Sequence, residues 1–170
     1  MKISLIILSL ILSSCASHLR STERAVAVVY NLETEQKLGV VKFNYDKKGD
    51  VVIKVELQNI AAGEHGFHIH EYGDLRNHGH NLGGHFNPFN VKHGNPKDGF
   101  LVHVGDLGNV RANKSGVVST EFTDIKISLR GRNSIIGRAV VLHAGRDNFQ
   151  IQPAGHSGKK IAAGVIGLVK

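Results

Sequence analysis

Hydrophobic positions along this chain come in short clusters separated by turn residues, and none of the clusters carries a helical period. Residues 25–30 (AVAVVY) form a β-rich run, and residues 38–45 (LGVVKFNY) form a second. The turn sequence 46–50 (DKKGD) precedes residues 51–57 (VVIKVEL), whose second half alternates apolar and polar side chains as a half-buried strand does. Residues 66–70 predict a fourth strand. Residues 107–112 and 117–122, joined by Asn113-Lys114-Ser115-Gly116, predict a hairpin, and residues 139–143 and 161–169 bring the set to eight. Residues 125–129 are strand-like but short. Many short strands with turn chemistry between them predict an all-β domain, a sandwich or barrel. Two stretches, about 71–104 and 144–160, do not fit as strands; loops of that length in a compact domain are usually functional or disordered.

Composition narrows this picture. A chain of 170 residues supports one core and is too short for two. The formal charge is +7, yet the Lys and Arg residues are scattered, without a run of five and without interleaved aromatics. That distribution argues against nucleic acid and suits a small anion or an anionic membrane surface. Met1-Lys2 followed by the apolar run 3–12 reads as a secretory segment, because spanning a bilayer takes about 20 residues. Leu12-Ser13-Ser14-Cys15 resembles a bacterial lipoprotein signal, in which the cysteine becomes the acylated N-terminus. The expected organisation is therefore a signal peptide (1–14), a lipidated Cys15 with a polar tether (15–23), and one domain (24–170). Export to a periplasmic or cell-surface membrane follows, and loss of Lys2 leaves the mature charge at +6.

The candidate chemistry is metal binding. Cys15 is the only cysteine, whereas 11 histidines are present and eight of them fall between positions 65 and 103. A metal site here must be built from nitrogen and oxygen, which suits copper and zinc and excludes thiolate clusters. His68-Ile69-His70 on a strand points both imidazoles to one face, with Phe67 and Ile69 towards a core. His143 ends another strand and shares its face with Ala139 and Val141. Three imidazoles from two strands can meet on one wall, and His85, His93, His103 and Asp106 lie in or beside the long loop.

The blocks GFHIHEYGD (66–74), GGHFNP (83–88), KHGNPKD (92–98), HVGDLGNV (103–110), IIGRAVVLHAGRD (135–147) and AAGVIGL (162–168) resemble the signature blocks of copper–zinc superoxide dismutases, in order and nearly in spacing. The resemblance implies an eight-stranded Greek-key β-sandwich or barrel with two long functional loops. It implies copper on His68, His70, His85 and His143, and zinc on His85, His93, His103 and Asp106, with His85 shared. Asp147 would accept hydrogen bonds from one copper and one zinc histidine. The implied reaction converts two superoxide anions and two protons to oxygen and hydrogen peroxide by Cu(II)/Cu(I) cycling. Family members are commonly homodimers through sheet surfaces. The alternative is a non-catalytic, lipid-anchored copper and zinc binding protein on the same fold.

Three departures from the family stand out. Gly79 and Ala163 occupy the positions of its usual disulfide, which leaves metal binding to supply most of the order of residues 71–104. Lys160 stands where a channel arginine is usual; it keeps the charge for anion guidance but loses the planar fork. The loop from 147 to 160 is shorter than in eukaryotic members. His65, His78, His80 and His156 match no ligand position and read as exposed loop residues.

Overall fold

The computed structural model describes residues 23–169; the secretory segment, Cys15 and nearly all of the tether lie outside the described residues. Eight strands follow in chain order: β1 (Arg24–Asn31), β2 (Lys37–Tyr45), β3 (Val51–Leu57), β4 (Gly63–His70), β5 (Asp106–Ala112), β6 (Val118–Asp124), β7 (Ala139–His143) and β8 (Lys160–Val169). They pair antiparallel in the order β5-β4-β7-β8-β1-β2-β3-β6, which curls into a nearly closed barrel. Alternation explains the inside of it. Val51, Ile53, Val55 and Leu57 of β3 are buried, as are Ala25, Ala27 and Val29 of β1 and Phe67 and Ile69 of β4. They meet Phe43, Val140, Leu142 and Ile166 in one continuous core.

The expected hairpin over residues 107–122 is corrected by this order. The turn forms, with Asn113 N–H bonded to the Val117 carbonyl and the Asn113 side chain accepting from Ser115 and Val117. The strands it joins nevertheless find other partners: β5 ladders with β4, and β6 pairs with β3 over all seven residues. They end up as the two ends of the strand order, facing one another across a seam. Local turn chemistry predicted a chain reversal correctly, but which edges pair is decided by the free sides of β3 and β4. Residues 125–129 are not a strand. Three short 3-10 segments (Asn77–Leu82, Pro96–Leu101 and Gly131–Asn133) also lacked a sequence signal.

The long loop does not rely on a disulfide for its attachment. Ala139 and Val141 on the outer face of β7 pack with Ala163 of β8, and Leu32 and Leu82 close over them, with Leu75 at the side. The Leu32 methyls lie beside Gly79, so apolar packing fills the space where the family's disulfide runs. Backbone bonds from Glu71 N–H to Gly84 O and from Tyr72 N–H to Leu82 O tighten the same segment. Arg138 stacks over Phe86 and donates to the Glu71 carbonyl. Loop order therefore has a source besides metal.

Leu82 is fully buried in this small cluster. Leu82→Ala should cost about 2–5 kcal/mol in denaturant unfolding. Hydrogen exchange should quicken first at residues 71–84 in that variant; unchanged protection there would show that the cluster does not hold the loop.

Candidate metal centre

Two strands and a backbone ring bring the candidate residues together. In β4, Phe67 and Ile69 enter the core, so period two turns His68 and His70 outward, and His143 arrives beside them at the end of β7. Ile69 N–H donates to Gly105 O at 2.9 Å, Gly105 N–H to Phe86 O at 2.8 Å, and Phe86 N–H back to Ile69 O at 2.8 Å. That closed ring ties three segments whose neighbours are His68 and His70, His85, and Asp106. Gly105 has to be glycine: a Cβ there would lie 2.2 Å from the Ile69 carbonyl oxygen.

Among the described residues, two groups have the make-up of a metal site, and they share His85. One is His68, His70, His85 and His143; the other is His85, His93, His103 and Asp106. Within each group the ligand-capable atoms all lie within 4.8 Å of one another, and every residue is buried.

Hydrogen bonds fix which nitrogen of each ring is bare in the first group. His68 Nε2–H donates to Asp147 Oδ2 at 3.0 Å, His70 Nδ1–H to Gly83 O at 2.9 Å, and His143 Nδ1–H to Gly158 O at 3.0 Å. His85 Nδ1 faces Asp106 Oδ1 at 2.8 Å. The acceptors are carbonyls and carboxylates, so the proton sits on the ring nitrogen. His68 Nδ1 and His85 Nε2 are left buried without a hydrogen-bond partner, and His70 Nε2 faces His143 Nε2 at 3.3 Å. Burial pushes His68 down to about 3 and His143 to about 4, and holds His70 well below the ordinary imidazole range. These rings are neutral near pH 7. Four lone pairs then converge in a buried space, an arrangement that costs free energy unless a cation takes them up.

The second group is organised around a carboxylate. Asp106 Oδ1 lies 2.8, 3.0 and 3.3 Å from Nδ1 of His85, His93 and His103, and its Oδ2 accepts from Gly94 N–H at 3.0 Å. The His103 contact is poorly aligned, and His103 Nδ1 has no hydrogen-bond partner. Burial alone would raise Asp106; the facing His103, His85 and His93 rings outweigh it and hold the carboxyl far below the ordinary range. Burial likewise lowers His93, but bonds to Asp106 and Asp147 win and lift it to about 9. Three imidazoles and one carboxylate are the donor set of a closed tetrahedral zinc site, and four imidazoles suit copper.

Asp147 links the groups. Its Oδ2 accepts from His68 and its Oδ1 from His93, each at 3.0 Å. Burial would raise this carboxyl, yet the His68 and His93 bonds hold it below the ordinary range. Gly155 packs directly on it; a Cβ there would fall 1.6 Å from Asp147 Oδ1. Two amide side chains whose roles the sequence does not show complete the frame. Asn109 clamps the Asp147 backbone, accepting from its N–H at 2.7 Å and donating to its carbonyl at 3.1 Å. Gln152 does the same for His93, at 3.1 and 2.8 Å. Each amide lies far in sequence from its partner, so no local motif pointed to it.

The remaining histidines divide. His78, His80 and His156 are exposed. His65 is not, contrary to expectation: it is buried on β4, with Nδ1 2.8 Å from the His143 carbonyl and Nε2 2.8 Å from Ala61 O. β4 begins three residues earlier than predicted, which takes His65 out of the loop. Lys160 starts β8 opposite His143, and its Nζ donates to Gly79 O at 3.3 Å. It therefore reaches the long loop through a single bond.

Comparison with known proteins agrees with this chemistry. Residues 37–166 match the family described as copper/zinc superoxide dismutase (SODC). Superoxide dismutase [Cu-Zn] A of Xenopus laevis is 45% identical over 135 residues, which cover 76% of this chain and 88% of the relative. The extracellular superoxide dismutase [Cu-Zn] of Drosophila melanogaster is 42% identical over 143 residues, covering 80% and 78%. Among solved structures, the clock protein EA4 aligns with a TM-score of 0.79 at 37% identity, covering 88% of this chain and 96% of that one. A match across most of the barrel and both histidine groups, at this identity, has one meaning: the chain belongs to the copper/zinc superoxide dismutase family, whose members are enzymes that use copper and zinc.

Proposed function

We propose that the protein disproportionates superoxide, with copper held by His68, His70, His85 and His143 and zinc by His85, His93, His103 and Asp106. The observation that carries this reading is the convergence of four bare imidazole nitrogens in a buried space beside a carboxylate that faces the other nitrogen of His85 and two further imidazoles. Bound copper would supply the one-electron chemistry by which two superoxide anions and two protons give oxygen and hydrogen peroxide. The protein supplies position, protons and a field. Asp147, Gly83 O and Gly158 O hold the outer nitrogens of His68, His70 and His143, so each ring presents its other nitrogen inward. His85 Nε2 is the atom suited to hold and return a proton, while Nδ1 of the same ring stays on the Asp106 side. His143 keeps slightly more exposure than His68 and His70, so the approach of an anion runs past it. Lys160, beside His143 in the sheet register, puts a positive charge on that approach.

His143→Ala should lower superoxide loss by at least about 100-fold in protein loaded with copper and zinc, since even outer partners of ligands are commonly worth 10–100-fold. Equal activity would remove His143 from the copper group, and metal uptake by the wild type without activity would reduce the protein to a binding module.

Lys160→Ala should slow the reaction by about two- to tenfold at low ionic strength and converge on the wild type at high salt, where the field is screened. A rate equal to the wild type throughout the salt series would deny Lys160 any part in guidance.

The exported, anchored location is part of the same proposal. The extracellular relative in Drosophila supports export, and the sequence 12–15 alone supports the anchor. Acylation of Cys15 with two or three chains would hold the domain stably at a bilayer. The full chain made in a bacterial host should incorporate labelled palmitate and sediment with membranes, and Cys15→Ala should do neither. Unlabelled wild type would exclude the anchor.

A further inference from the structure

Among the described residues, Lys126 is the only buried lysine or arginine, and nothing in the proposed reaction uses it. Its Nζ is 2.6 Å from Asp124 Oδ2 and donates to the backbone carbonyl of Asp106 at 3.0 Å. Asp124 is committed to the same segment through its other oxygen, which accepts from the backbone N–H of Lys126 at 2.7 Å and of Ile127 at 3.0 Å. Asn133 closes the segment from the far side by donating to Lys126 O. The result is a rigid bracket. Asp124 ends β6 and Asp106 begins β5, so the ammonium spans the seam between strands that share no ladder, at the end that carries the metal groups.

Removing an ammonium and a carboxylate from water costs several kcal/mol per ion, and replacing such a pair by apolar side chains of similar volume is often neutral or stabilising. Stability alone therefore gives no reason to find a lysine here. What an apolar side chain cannot do is donate a charge-assisted hydrogen bond to a carbonyl. The carbonyl in question belongs to the residue whose carboxylate faces His85, His93 and His103, and it continues the backbone that the ring at Gly105 holds on its other side. A small rotation about Asp106 would swing its carboxylate away from all three rings.

We propose that Lys126 is a positioning residue for the zinc group: it stitches the barrel seam at Asp106 and sets the direction of the Asp106 carboxylate. This rests on the reading that Asp106 and the three histidines hold zinc. The geometry predicts that the bracket keeps these groups aligned before metal arrives, so its loss is felt in metal affinity and site geometry beyond any loss of folding stability.

The test uses the exported chain in four forms besides the wild type: Lys126→Met, Asp124→Asn/Lys126→Met, Asp106→Asn, and Val118→Ala as a destabilised variant away from the metal groups. Zinc affinity is measured by competition with a chromophoric chelator, site geometry by the visible bands of cobalt(II), and stability by denaturant unfolding. Lys126→Met should lose about 10–100-fold in zinc affinity, the usual range for an outer partner of a metal ligand, and should alter the cobalt bands. Val118→Ala should lose stability yet keep affinity and spectrum. The double variant leaves no buried charge unpaired, so it should regain stability without regaining affinity, and it carries the test if Lys126→Met does not fold. Wild-type zinc affinity and an unaltered cobalt spectrum in the double variant would overturn the proposal. Retained affinity in Asp106→Asn would instead overturn the zinc assignment beneath it.

Discussion

The ring of three backbone hydrogen bonds joining Ile69, Gly105 and Phe86 is the constraint on which the rest of the site depends. Each of its members adjoins a candidate ligand: His68 and His70 flank Ile69, His85 precedes Phe86, and Asp106 follows Gly105. All three donors and acceptors are spent on one another in a buried place, where an unmade bond costs about 1–3 kcal/mol. Two segments far apart in the chain are thereby fixed against a strand to within the tolerance of a hydrogen bond. The absent side chain of Gly105 is what allows the approach.

Around that ring, the protein controls direction more than distance. The outer nitrogens of His68, His70 and His143 each have an acceptor, and these rings are buried enough to stay neutral, so their inner lone pairs have no choice of orientation. Asp147 does this for both groups at once, and its own backbone is clamped by Asn109 while that of His93 is clamped by Gln152. Such an assembly is costly without metal, since it gathers unpartnered nitrogens and buried carboxylates. Its support is correspondingly redundant, with the Leu32–Leu82 cluster beneath one loop and the Arg138–Phe86 stack beside the ring.

The seam between β5 and β6 belongs to the same balance. A barrel closed by ladders all round would bond every strand edge to its neighbour. Here the two end strands share none, and the Lys126 ammonium, paired with Asp124 at the end of β6, bridges them by donating to the Asp106 carbonyl of β5. Connection by a side chain leaves β5 free to follow the ring and the metal loop instead of the pairing of β6.

The chain alone was enough to determine an all-β domain, because alternation and turn residues are local properties, and all eight strands start and end within three residues of where they read. Period two also turned His68 and His70 away from Phe67 and Ile69 before any partner was known. The motif blocks pointed to the family. What distant contacts decide was not legible. The reversal at Asn113 read as a hairpin, but pairing was settled by edges about 40 to 70 residues away. His65 read as a loop residue because only its partner Asn109–Ala112 stretch extends β4 back to Gly63. No local pattern showed what Asn109, Gln152 and Lys126 do, since each acts on a backbone group elsewhere in the chain. Sequence names the side chains able to bind metal; only the fold brings their lone pairs to one place, because that meeting depends on backbone bonds between segments the sequence keeps apart.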